Sequence, residues 1–118
     1  MPKGLDYTIA EDRLLLLKMA IKCADISNAA KPRGIYMKWT ERVIREFYQQ
    51  GDQEKERGLP ISTFMDRDNP NIRKLQLGFL NFIVMPTFKT WLSFLKHEEI
   101  LHYAEENLKM WLEATDVA

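Results

Sequence analysis

The chain has 118 residues, 46% hydrophobic and 29% charged, with 17 basic and 17 acidic side chains. That length allows one domain with a modest core, and the composition is that of an ordinary globular protein. Zero net charge gives no basic surplus to attract nucleic acid or an anionic membrane, the lone Cys23 excludes an internal disulfide framework, and no apolar run, Leu14 to Leu17 included, is nearly long enough to span a bilayer. No charged segment followed by an apolar one opens the chain, so a cytoplasmic setting is expected, with neither nucleic acid nor membrane as a partner.

Thr8 and Glu11 form a T-x-x-E capping box ahead of an apolar run, which predicts a helix from about Ile9 to Asp25. Leu14, Leu17, Ile21 and Ala24 recur at three- and four-residue steps, and Leu15 and Leu16 widen the stripe. So broad a surface implies burial on more than one side. Asn28, Pro32 and Gly34 then predict a turn, and a second helix should run from about Ile35 to Arg57. Its stripe is Tyr36, Trp39, Val43 and Phe47, with Ile44 and Tyr48 alongside. Gly51 could bend it, and Gly58 and Pro60 end it.

Residues 59–70 read as a loop, and Asn69-Pro70 as the N-cap and first-turn proline of a third helix reaching about Phe94. Leu75, Phe79, Phe82, Ile83 and Trp91 should be its apolar positions, with a kink at Pro86. A fourth helix is expected over roughly Glu98 to Ala114, with Leu101, Ala104, Leu108 and Trp111 inward. No period-two pattern or internal repeat occurs, so the chain reads as all-α, with about four main helices.

Three features bear on chemistry. Asp25 ends an apolar helix, where a buried carboxylate is costly unless paired or metal-bound. Spacing alone favours the plainer reading, a C-terminal-turn carboxylate in contact with water. Gln76 shares a helical face with Phe79, and that face is otherwise apolar. An unpartnered buried amide costs on the order of 1–3 kcal/mol. An amide beside a ring suits a flat heterocycle, stacked on the ring and read along its edge. A glutamine bonded to a neighbouring helix explains the same spacing. The stripe Tyr36, Trp39, Thr40, Val43, Phe47 is, by pattern, core. His97 and His102 are five apart and do not share a face as paired ligands would, so they read as surface residues. Cys23 reads as a small buried apolar residue, and the run Asp52 to Arg57 as a solvated face.

Lys22-Cys23-Ala24-Asp25-Ile26-Ser27-Asn28 resembles the K-C-A-D-[IL]-S-N segment of class I cyclic-nucleotide phosphodiesterases. Further motifs follow in family order: Tyr36-x-x-Trp39, Glu46-Phe47-Tyr48-x-Gln50-Gly51-Asp52, Gly58-Leu59-Pro60, Phe64-Met65-Asp66-Arg67 and Gln76-Leu77-Gly78-Phe79, with Pro86 seven residues after Phe79. The resemblance covers residues 11–95 strongly and the last helix more loosely. It implies that residues 1–118 are a single partial domain, the carboxy-terminal portion of a larger all-helical catalytic domain acting in signal transduction.

The resemblance also implies roles. Asp25 is similar to the family's metal-ligand aspartate, and Asn28 to a polar residue lining the nucleotide pocket. Gln76 is similar to the glutamine that holds the purine edge, and Phe79 and Val43 to the two jaws of the purine clamp. Tyr36, Trp39, Thr40 and Phe47 would be pocket wall or its support. In the intact domain the resemblance implies zinc and magnesium (or manganese) ions that polarise the cyclic phosphate and supply the attacking hydroxide. The 3′,5′-cyclic nucleotide, cAMP or cGMP, is the implied substrate and the 5′-monophosphate the product. The family's metal histidines and general-acid histidine have no counterpart in these residues. The expectation is therefore no catalytic residue here, no metal held by this chain alone, and no activity without the amino-terminal part of the domain. Uncovered apolar faces should favour self-association. A non-enzymatic helical interaction module is the competing class. Which purine is read stays open, because a glutamine amide can present either end.

Overall fold

The computed structural model describes residues 4–95 and 98–114. The described residues form helices and no strands: α1 (Ala10–Asp25), a 3₁₀ turn (Ser27–Ala30), α2 (Arg33–Glu56), α3 (Ile72–Phe79), a π turn (Leu80–Val84), α4 (Met85–Leu92) and α5 (Glu99–Glu113). The all-α reading holds, and most helix ends lie within two residues of their expected places. His97 lies outside the described residues.

The start of α1 corrects the capping box. Ile9, not Thr8, is the N-cap, and no side chain caps it. The Asp6 carboxylate takes both the Thr8 amide (2.8 Å) and its hydroxyl (2.6 Å), which occupies the threonine two residues upstream instead. Asp12 reaches back to the Asp6 amide at 2.7 Å. At the other end of the next helix the glycine signal holds. Gly58 has φ +71°, its amide bonds to the Lys55 carbonyl at 3.0 Å, and the Leu59 amide bonds to that of Glu54 at 2.8 Å. This is the Schellman closure that a left-handed glycine permits.

The third predicted helix is α3, the π turn and α4 in succession. It begins at Ile72 with Asn71 as N-cap, so Asn69-Pro70 lies just outside it. Pro86 stands in the first turn of α4 and has no N–H for the preceding turn. The π turn precedes it, and the Thr87 hydroxyl closes on the Ile83 carbonyl at 2.6 Å. Widening the helix there shifts the inward face. Gln76, Leu80, Val84 and Phe88 are buried at steps of four, whereas Phe82 and Ile83, expected inward, are 82% and 51% exposed.

The core is small: Cys23, Ala29, Tyr36, Leu80, Val84, Met85, Phe88 and Ala104, flanked by Phe79, Trp91, Leu101, Leu108 and Trp111. α5 lies across it and packs on the 3₁₀ turn, α2, α3 and α4. The expected burial of α1 on several sides does not occur among the described residues. Cys23 is its one buried residue, while Leu17 is 62% and Ile21 72% exposed. The radius of gyration is 17.2 Å, against about 13.5 Å for a compact chain of this length. The exposed surface is 8598 Å², against about 6700 Å² for a compact protein of this mass. Leu17, Ile21 and Phe82 are among the apolar side chains that face outward.

Candidate functional site

Gln76 is 4% exposed, and its amide is not idle. The Tyr36 hydroxyl, on α2, donates to Gln76 Oε1 at 2.5 Å, and Trp111 Nε1, on α5, donates to that hydroxyl at 2.8 Å. Three helices thus meet in one relay from indole to phenol to amide. An indole N–H can only donate, so the phenol accepts there and, with the amide oxygen facing it, gives its own proton to Gln76 Oε1. Burial pushes the Tyr36 pKa up to about 12, against the opposing effect of its bonds to Trp111 and Thr40. The phenol therefore keeps that proton throughout the neutral range.

The other residues predicted to bind substrate lie on α2, on α3 and on the 3₁₀ turn that precedes α2. Thr40 is 2% exposed, and its hydroxyl donates to the Tyr36 carbonyl at 3.0 Å. Val43 and Phe47 continue the Tyr36 face of α2 at steps of seven and four and are half-buried. Phe79 is half-buried and packs on the core from α3, one turn beyond Gln76. Trp39 is 46% exposed, with the Arg42 guanidinium 5.0 Å from its ring centre. Asn28 stands half-buried in the 3₁₀ turn.

Asp25 is the last residue of α1 and is exposed. No group of three or more His, Cys, Asp or Glu able to hold a metal occurs among the described residues. His102 is exposed and lies edge-on to the Tyr103 ring at 5.2 Å. Burial raises the pKa of the Cys23 thiol, which suits packing rather than attack.

Sequence reasoning missed two things. The run Asp52 to Arg57 is not merely solvated: Asp52 holds Arg67 through a pair of bonds at 2.9 and 2.6 Å, and Glu54 takes the Ser62 amide (3.0 Å) and hydroxyl (2.6 Å). These bonds hold both carboxylates below their usual pKa. They strap the 59–70 loop along the end of α2. The second omission is Asn107, which is 1% exposed inside α5. Its only signal was a polar residue three places after Ala104 on the inward face. A groove of about 1280 Å³ also runs between α2, α3 and the end of α5, but of the predicted site residues only Thr40 lines it.

The family model described as 3′5′-cyclic nucleotide phosphodiesterase matches residues 4–105. The chain is 52% identical over 81 residues to 3′,5′-cyclic-AMP phosphodiesterase 4 of Dictyostelium discoideum, covering 69% of this chain and 8% of that protein. It is 42% identical over 98 residues to 3′,5′-cyclic-AMP phosphodiesterase 4C of Rattus norvegicus, covering 81% of this chain and 18% of that protein. A solved structure, LmjPDEB1 in complex with IBMX, superposes with a TM-score of 0.86 at 31% identity, over 93% of this chain and 34% of that one. The chain therefore spans under a fifth of these curated relatives and about a third of the solved chain. With its motifs in order, the fold shared and most of its length matched, this chain belongs to the 3′,5′-cyclic-nucleotide phosphodiesterase family.

Proposed function

We propose that these residues form the base-recognising portion of a catalytic domain that hydrolyses cAMP to 5′-AMP, and that the 118-residue chain alone does not turn it over. The Trp111–Tyr36–Gln76 relay carries the reading. Adenine presents an acceptor at N1, which the free NH₂ of Gln76 satisfies. Guanine presents an N1–H donor, which would meet that NH₂ donor to donor unless the amide turned and gave up its bond from Tyr36. Phe79 and Val43 act as the flanking jaws, Asn28 as a second contact to the base edge, and Trp39 and Phe47 as wall. Fixing the base this way orients the cyclic phosphate toward the reacting centre.

Asp25 is assigned as one ligand contributed to a centre, of zinc and magnesium or manganese, whose other ligands lie elsewhere in the domain. Its exposure at the end of α1 leaves it open to such sharing. Placing residues 4–114 in the position of their counterpart in the Dictyostelium relative should give a hybrid that hydrolyses cAMP in preference to cGMP. A folded hybrid that favoured cGMP would overturn the assignment of the base.

The exposed α1 face, with Leu14, Leu17 and Ile21, is the surface on which the remainder of the domain would pack. In its absence a second copy is the available cover. Light scattering should show concentration-dependent association that Leu17→Lys with Ile21→Lys suppresses. A monomer at high concentration for the unmutated chain would contradict this.

A further inference from the structure

We propose that Asn107 is a positioning residue for the base site, fixing from α5 the 3₁₀ turn that presents Asn28. The proposal rests on Asn28 as a contact to the base edge. Asn107 donates from Nδ2 to two backbone carbonyls, Ala29 at 3.0 Å and Lys31 at 2.9 Å. Both amide protons are thus spent on a segment 78 and 76 residues away in sequence. An apolar residue would fill the same space without a polar group to satisfy, so the amide is there for the bonds it makes.

The bonds that flank the turn, Ala29 amide to Ile26 carbonyl and Lys31 amide to Asn28 carbonyl, are each 3.3 Å. The ties from Asn107 are the shorter ones, and they grip the turn on both sides of Ala30, immediately after Asn28. Ala29 and Ala104 are both fully buried, and Ala104 precedes Asn107 on the same face of α5. The close approach they allow brings the amide within reach of the turn. Trp111, four residues further along α5, supports Gln76 through Tyr36. One helix face therefore sets both groups that read the base.

The test measures cAMP binding and amide hydrogen exchange on the full chain. Asn107→Ala should speed exchange of the Ala29 and Lys31 amides and weaken cAMP binding by about three- to tenfold, the worth of one hydrogen bond to the base. Asn28→Ala should weaken binding by a similar factor, and the double variant should be no weaker than Asn28→Ala alone. Asn107→Ser keeps one donor and leaves room for a water, and should recover part of both effects if Asn107→Ala folds poorly. Additive losses in the double variant, or binding unchanged while the turn exchanges faster, would overturn the positioning role. So would unchanged exchange in Asn107→Ala. If the unmutated chain binds no cAMP, the reading of Asn28 fails and this role fails with it. Faster exchange in Asn107→Ala would then show that the tie itself is real.

Discussion

Replacing Gly51 with alanine should destabilise the chain by on the order of 3 kcal/mol and lower its unfolding midpoint by roughly 10–20 °C. The reason is a close approach of backbone to backbone. A Cβ at Gly51 would stand 1.8 Å from the Met65 carbonyl oxygen and 2.7 Å from its carbon. A flexible side chain could swing away, but Met65 is held on both sides: Ser62 is bound by Glu54, and Arg67 by Asp52. The loop must lift as a whole, which breaks those bonds together. Phe64, within the strapped segment, sits at φ +68°, a conformation that only firm surroundings sustain in a non-glycine residue. Gly34 provides the control. Nothing lies within 4 Å of a Cβ there, and it is helical, so Gly34→Ala should be neutral or stabilise by about 0.5–1 kcal/mol. Equal midpoints for Gly51→Ala and the unmutated chain, followed by circular dichroism, would refute the close approach.

In the hybrid enzyme, Gln76→Ala should lower kcat/KM for cAMP by roughly 30- to 150-fold, equivalent to about 2–3 kcal/mol. Two losses combine in that figure. The base loses its amide donor, and the Tyr36 hydroxyl, in a fully buried residue, loses its acceptor. Gln76→Glu should be at least as damaging, because a carboxylate offers adenine N1 no donor. Tyr36→Phe separates the two contributions. It keeps the amide but frees its orientation, so the preference for cAMP over cGMP should fall by more than the rate on cAMP does. A Tyr36→Phe enzyme with unchanged preference would show that the relay does not set the base.

The helices were legible because their periodicity is strong and their stops are glycine and proline. Glycine at 58 closes α2 through a left-handed residue, as its position suggested. The faces were less legible. The π turn before Pro86 moved Phe82 and Ile83 outward, and a fixed 3.6-residue period cannot anticipate that. Thr8 was misassigned because Asp6, two residues upstream, competes for the same hydroxyl. α1 reads as a core helix but is exposed here, because a sequence pattern records what a face packs on without saying in which segment the partner lies. Gln76 is buried and has the neighbouring-helix partner that its spacing allowed, Tyr36 on α2. The orientation of that amide, set by residues 40 and 35 positions away in Tyr36 and Trp111, could not be read from local spacing. Asn107 and the strap from Asp52 to Arg67 escaped notice for the same reason: each depends on pairs distant in sequence.

The most direct test compares cyclic-nucleotide hydrolysis by the purified 118-residue chain with that of the hybrid carrying residues 4–114. The expected result is metal-dependent cAMP turnover by the hybrid, exceeding its turnover of cGMP, and none by the chain alone. A hybrid that folds but hydrolyses neither nucleotide, or a lone chain that turns over cAMP, would contradict the account.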